Sequence, residues 1–132
     1  MVNDVARFHR ILLAAAALLL LCGCINESRE ATLHSGLVTG YVLSAPACPV
    51  ERVGQDCPPR PVSGAAVVAL AGDAVRGSTL TDTAGAFSLT LADGRYVIKA
   101  SNVGGYASTA SKLVVISDQP VHITLIVDSG IR

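Results

Sequence analysis

Apolar and polar residues alternate with a period of two through most of the chain after residue 36. Phe87, Leu89 and Leu91 share one face of one such stretch, and Val38 and Val42 share one face of another. Alternation of this kind indicates half-buried strands, and turn residues separate the stretches about every eight to twelve residues. The pattern predicts seven strands: 37–43, 65–70, 77–81, 86–91, 95–101, 112–116 and 121–127. We therefore expect an all-β fold, a seven-stranded antiparallel β-sandwich spanning residues 36–132.

The first 23 residues follow a different pattern. Arg7 and Arg10 precede an uninterrupted apolar run of eleven residues, Ile11 to Leu21. A helix of that length rises about 16 Å, which is too short for a hydrocarbon core about 30 Å thick. The run is typical of the hydrophobic region of a signal peptide. We expect residues 1–23 to form a signal-peptide helix that is absent from the mature protein.

The residues that follow the apolar run, Leu21-Cys22-Gly23-Cys24, resemble a bacterial lipobox. The resemblance implies cleavage before Cys24 and attachment of lipid, including palmitate, to its thiol. Cys22 departs from the small residue usual at its position, and an ordinary secretory signal is the alternative. Residues 24–35 are polar and without period, so they are expected to form a lipidated N-terminus and flexible tether. Ile25 is not the aspartate associated with inner-membrane retention, which favours the outer membrane in a Gram-negative cell.

A proline-rich excursion, residues 44–63, interrupts the strand pattern and contains Cys48 and Cys57. Its five prolines lack backbone donors and are incompatible with a central strand. In an oxidising compartment two cysteines in one loop indicate a disulfide. A metal site is the competing interpretation, but the remaining histidines show no ligand spacing. Arg52 and Arg60 give this loop a slightly basic surface, so they are candidate partner contacts. The alternative is that the loop only covers a sheet edge.

Composition narrows the classes of partner. The eight cationic and nine anionic side chains after residue 23 leave a net charge of about −1. Nucleic-acid binding needs phosphate neutralisation, so we expect no nucleic-acid partner. The chain has no tryptophan and few other aromatic residues, which argues against a stacking platform.

Four motifs, in order, resemble those of carboxypeptidase regulatory-like domains. They are Gly36-Leu37-Val38-Thr39-Gly40-Tyr41-Val42, Gly64-Ala65-Ala66-Val67, Thr81-Asp82-Thr83-Ala84-Gly85-Ala86-Phe87 and Asp93-Gly94-Arg95-Tyr96-Val97-Ile98. The last has Asp where the family usually has Pro. The resemblance implies a transthyretin-like (prealbumin-like) β-sandwich. Cys48-Pro49, Cys57-Pro58-Pro59-Arg60-Pro61 and Gly130-Ile131-Arg132 also resemble segments of bacterial lipoproteins of this group, without implying a defined biochemical role.

The motif residues are expected to act structurally. Asp82 can accept hydrogen bonds from turn amides, Gly85 can adopt a left-handed conformation, and Phe87 then enters the core. Tyr96 is expected to bury its ring while its hydroxyl bonds an upstream backbone group. A metal-binding role for Asp82 is the weaker alternative.

The sequence motifs favour a non-catalytic binding or structural domain over an enzyme. No phosphate-binding loop, zinc-protease helix or nucleophile elbow is present in the sequence. His122 is expected on the outer face of the last strand. We expect no catalytic residue, metal or cofactor, and a lipid-anchored envelope module that binds a protein or glycan partner or serves only as structure. The alternative is a transthyretin-like 5-hydroxyisourate hydrolase, which this chain fits poorly because it lacks the C-terminal Tyr-Arg-Gly-Ser of those enzymes.

Overall fold

Strands form this fold because alternation lets each one bury one face and leave the other in water. A computed structural model describes residues 33–49, 53–104 and 106–132, all within one unit, Thr32–Arg132. These residues form eight strands: β1 (Ser35–Ala45), β2 (Arg60–Pro61), β3 (Ala66–Ala71), β4 (Ala74–Leu80), β5 (Ala86–Ala92), β6 (Gly94–Ser101), β7 (Thr109–Ile116) and β8 (Val121–Asp128). All seven predicted strands are present, and the short β2 is additional.

Three sequence-based expectations fall outside the described residues. They are the signal-peptide helix of residues 1–23, the lipidated Cys24, and the tether as far as residue 32. Among residues 33–49, 53–104 and 106–132, no helix is long and apolar enough to cross a membrane.

Two four-stranded sheets make the sandwich. In the first, one side of β1 pairs antiparallel with β5 and then with β2, while its other side pairs with β8. The second has the order β4-β3-β6-β7 and is antiparallel throughout. This architecture confirms the predicted β-sandwich.

One pairing differs from the expected antiparallel arrangement. β8 runs parallel to β1, with Val38 opposite Val121 and Ala45 opposite Asp128. The reason is the short link between β7 and β8, residues 117–120. Four residues reach at most about 14 Å, whereas a strand of eight residues is about 26 Å long. β8 therefore begins where β7 ends, which is also the end of the sandwich where β1 begins.

The inward faces of the two sheets meet in an aliphatic core that contains two aromatic rings. Its largest fully buried side chains are Ile98, Val38, Val42, Val67 and Val127. Phe87 and Tyr96 are also buried. Burial of one such side chain contributes about 1.5–3 kcal/mol, and a shift of one residue would turn the apolar face of a strand outward. The core therefore fixes the register of both sheets.

The two ends of the sandwich differ in what they contain. The base contains the start of β1 and the links 72–73, 93 and 117–120. The loop end contains the proline-rich loop after β1, the turn 81–85, the link 102–108 and the segment 129–132. Because β1 has eleven residues, the two ends lie about 35 Å apart. The chain enters at the base, where the N–H of Asp93 donates to the carbonyl of His34 at 3.0 Å.

Candidate functional site

The proline-rich loop is closed by a disulfide between Cys48 and Cys57. Their Cα atoms lie 6.0 Å apart, and nine positions separate them in the sequence. The loop is also fixed at its first residues, because the hydroxyl of Ser129 donates to the carbonyl of Pro46 at 2.7 Å. Residues 50–52 of the loop lie outside the described residues, and these include Arg52. The disulfide therefore joins two described arms of the loop.

The second candidate contact, Arg60, is exposed on β2. Ser44 is its register partner on β1, and the Ser44 hydroxyl donates weakly to the Arg60 carbonyl at 3.4 Å. Within the described part of the chain, no carboxylate forms an ion pair with Arg60. Arg60 therefore lies exposed at the loop end on a short edge strand. The prolines were expected to prevent a central strand in this segment. The structure has only the two-residue β2, which pairs with β1 at the edge of the sheet, where proline is tolerated.

The turn between β4 and β5 is hydrogen-bonded to β1 next to the proline-rich loop. Asp82 Oδ1 accepts the N–H groups of Ala84 and Ala86, both at 2.9 Å. Gly85 has φ +72°, and its carbonyl accepts the Val42 N–H at 2.8 Å. Only a residue without Cβ fits there, because an added Cβ would lie 2.6 Å from the Val42 carbonyl oxygen. The turn is thereby joined to β1 just before the loop begins.

Thr81 has a role that the sequence motif did not reveal. Its buried hydroxyl accepts the Ala65 N–H at 2.8 Å and donates to the Val62 carbonyl. The residue thus connects the turn to the segment that leaves β2. The motif included Thr81, but it did not indicate the partners of the hydroxyl. These are backbone groups 16 and 19 positions upstream, which no residue type identifies.

Phe87 and Tyr96 lie away from the loop surface. Phe87 follows the turn into the core, as its place in the alternation indicated. Tyr96 lies near the base, where its hydroxyl donates to the Ala92 carbonyl at 2.9 Å. The structure therefore brings Asp82, Gly85 and Phe87 together and separates Tyr96 from them.

The C-terminal segment forms the other half of the loop end. Arg132 donates to both carboxylate oxygens of Asp128, at 3.2 and 2.9 Å, and its guanidinium carbon lies 5.7 Å from the Tyr106 ring centroid. The side chains of Asn102 and Ser108 donate to the Asp128 carbonyl at 3.1 and 2.8 Å. Apart from the Gly130-Ile131-Arg132 motif, no sequence signal indicated this cluster, because most of its acceptors are backbone carbonyls.

Hydrogen bonding at this cluster also affects ionisation. The Arg132 guanidinium and the N–H of Gly130, which donates at 2.8 Å, hold the pKa of the Asp128 carboxyl below its usual 3.8. The charged form is favoured because both donors bind the carboxylate. The ion pair is solvent-exposed, so its role is to position the segment more than to stabilise the fold.

His122 lies outside this surface. It is exposed on β8, and its Nδ1 lies 3.1 Å from the Thr39 hydroxyl. The Tyr41 ring meets it edge-on at a centroid distance of 5.7 Å. In the described ranges, no group of three or more His, Cys, Asp or Glu side chains could hold a metal ion.

The loop end thus combines guanidinium groups, an aromatic ring and backbone polar groups on fixed loops. Arg60, Arg132 and Tyr106 are exposed there. Such groups recognise carboxylates, carbonyls and hydroxyls by hydrogen bonding and stacking.

The chain was compared with family models, curated proteins and solved structures. The family model described as carboxypeptidase regulatory-like domain matches residues 55–127. A solved structure of a minor pilin from the Gram-positive pathogen Streptococcus agalactiae is similar, with a TM-score of 0.48 and 15% identity over 73% of this chain. The match covers 45% of the pilin chain, so this chain spans less than half of that protein. No curated protein matches the chain.

Proposed function

We propose that this chain, which belongs to the carboxypeptidase regulatory-like domain family, is a non-catalytic module that is lipid-anchored in the cell envelope and binds a partner at its loop end. The observation that carries the proposal is that the described arms of the disulfide loop and the segment 129–132 meet at the end of the sandwich opposite the base, where the described chain enters. The disulfide loop and the segment 129–132 both lie there, about 35 Å from the base.

The disulfide supports an extracytoplasmic location. Disulfides persist in oxidising compartments and are rare where cytosolic thiols are kept reduced. The sequence adds a signal peptide and the lipobox-like Leu21-Cys22-Gly23-Cys24. We infer from this motif that Cys24 carries the lipid, and several acyl chains on it would give stable anchoring.

Rigidity supports a binding role for the loop end. A flexible loop loses side-chain and backbone entropy when it binds, and this loss weakens affinity. Here the disulfide, the Ser129–Pro46 hydrogen bond and the Asp128–Arg132 pair already fix the segments. Arg132, which Asp128 already orders, and Arg60 then offer hydrogen-bond donors to an envelope protein or glycan.

The anchor is tested by mass spectrometry of the protein purified from the membrane fraction. We expect an N-terminal peptide that begins at Cys24 and carries acyl chains. The Cys24→Ser variant should lose the acyl mass and leave the membrane fraction. A mature N-terminus at another residue would contradict the anchor.

The partner surface is tested by capture from envelope extracts with the wild-type protein and an Arg52→Ala, Arg60→Ala double variant. Arg76→Ala is the control, because Arg76 is exposed on β4 and distant from the loop end. We expect the double variant to lose a partner that the control retains. Identical capture by all three proteins would contradict binding through these arginines.

The non-catalytic part of the proposal is tested separately. The purified protein should not accelerate hydrolysis of 5-hydroxyisourate, the substrate of the transthyretin-like hydrolases that share the fold type. Turnover above the uncatalysed rate, and its loss in a His122→Ala variant, would replace the binding proposal with an enzymatic one.

A further inference from the structure

The outer face of the second sheet, β4-β3-β6-β7, carries a continuous row of apolar side chains. Val75, Leu70, Val97 and Leu113 stand opposite one another across all four strands. We call these four residues the apolar row. The exposed fractions of Val75 and Leu113 are 60% and 64%. The outer face of a sheet that contacts only water is usually polar, so this row indicates contact with something else.

Cations flank the apolar row. Arg95 and Lys99 lie two positions before and after Val97 on β6, so their side chains share its face, and both are exposed. Val115 stands opposite Arg95 on β7 and is 58% exposed. The strand positions that share this face include no carboxylate, although Asp73 and Asp93 lie in the adjoining links at the base. An apolar centre between two cations is complementary to an anionic lipid surface.

We propose that this face docks on the surface of an anionic phospholipid bilayer, an inference that rests on the lipid anchor proposed above. The interval from Cys24 to Leu33 is nine residues and reaches at most about 30 Å, so an anchored domain stays near the bilayer. The row is about 14 Å wide across four strands. Its Leu and Val side chains enter the headgroup region, and Arg95 and Lys99 bind lipid phosphates. Docked in this way, the strands lie along the membrane, and the loop end stays accessible to a partner.

The absence of tryptophan from the chain provides a direct test. Leu113→Trp places a single reporter on the proposed docking face, and Thr124→Trp places a matched reporter on the outer face of the first sheet. Each lipidated mature variant is reconstituted into vesicles of phosphatidylglycerol and phosphatidylcholine that contain brominated lipid. We expect strong quenching of Leu113→Trp and little quenching of Thr124→Trp. Val115→Trp is a second reporter for the docking face.

Charge neutralisation tests the role of the two cations. An Arg95→Gln, Lys99→Gln pair should lower the ratio of docked to undocked protein about 30-fold at low salt, since each cation near an anionic surface contributes about a fivefold factor. An Arg60→Gln, Arg132→Gln pair has the same change in charge at the loop end and should leave quenching unchanged. Vesicles of phosphatidylcholine alone should give little quenching of either reporter.

The outcomes separate this inference from the anchor. Protein that floats with the vesicles but shows equal quenching of Leu113→Trp and Thr124→Trp would overturn the docking and leave the anchor intact. Protein that fails to float contradicts both. Efficient crosslinking of Leu113→Cys between copies on the vesicles would instead assign the apolar row to a second copy of the chain and overturn docking on lipid.

Discussion

The hydroxyl of Thr81 accepts the backbone N–H of Ala65 at 2.8 Å, in the buried junction between the end of β4 and the start of β3. The same hydroxyl donates to the carbonyl of Val62, so one side chain satisfies two backbone groups. Thr81 is 5% exposed, and among the residues that the structure describes it is the one buried polar residue. Because a buried polar group without a partner is costly, this hydroxyl helps to hold the chain after β2, together with backbone hydrogen bonds such as that from the Val62 N–H to the Val42 carbonyl at 2.9 Å.

Replacing Thr81 by valine should therefore be strongly destabilising. Thr81→Val keeps the shape of the side chain but leaves the Ala65 N–H and Val62 carbonyl unsatisfied, and we expect a loss of about 2–4 kcal/mol. Urea unfolding measures it. Thr81→Ser retains the hydroxyl and should lose much less. Thr124→Val, on the exposed face of β8, should change stability by less than about 0.5 kcal/mol. Equal stability of Thr81→Val and wild type would show that water replaces the hydroxyl.

Gly85 and Gly64 make a matched pair for measuring the close approach of the turn to β1. Both have φ +72°, but an added Cβ has open space at Gly64 and lies 2.6 Å from the Val42 carbonyl oxygen at Gly85. Gly64→Ala should lose about 1 kcal/mol for the left-handed conformation alone. Gly85→Ala should lose about 2–4 kcal/mol, since overpacking adds about 1–3 kcal/mol to the conformational cost. Thermal or urea unfolding measures the loss of stability in each variant. Equal losses would show that the destabilisation at Gly85 comes from backbone conformation alone.

The sequence predicted what depends on local alternation. Phe87 and Leu91 of β5 face inward because their neighbours are polar and the period is two, and the structure has the same faces. Alternation contains no information on which strands are neighbours, so the parallel pairing of β8 with β1 was not predicted. That pairing follows from the short link 117–120 and the position where β7 ends.

The candidate surface was predictable only in part. Two cysteines in a proline-rich loop indicated the Cys48–Cys57 disulfide, because their chemistry is specific in an oxidising compartment. The contacts of Asn102 and Ser108 with the Asp128 carbonyl were not predictable. Every residue has a backbone carbonyl, so the sequence does not indicate which carbonyl a given side chain will bind.

Removing the disulfide should destabilise the domain by releasing the loop in the unfolded chain. On the chain-entropy treatment a loop of about ten residues contributes about 2.5 kcal/mol, so a Cys48→Ser, Cys57→Ser double variant should lose roughly that amount. Urea unfolding of the wild type with and without reductant provides the matching comparison. The variant should also capture less of any partner that requires Arg60. An unchanged midpoint in both comparisons would show that the loop is already ordered without the bond.

The Asp128–Arg132 pair predicts a pH-dependent release of the C-terminal segment. The pKa of Asp128 is lowered in the folded protein by the Arg132 guanidinium and the Gly130 N–H, so the interaction is complete above the carboxyl's usual pKa of 3.8. It is lost as the pH falls through the lower, folded value, because protonation removes the charged acceptor of both donors.

In an NMR titration the Asp128 carboxyl should titrate below 3.8, and the signals of Gly130 should shift with it. Arg132→Gln should raise this midpoint, while Arg95→Gln should leave it unchanged. High salt should also raise it, since the pair is exposed and screened. An Asp128 midpoint at or above the usual value in the wild type would show that the segment is not held by this pair in solution.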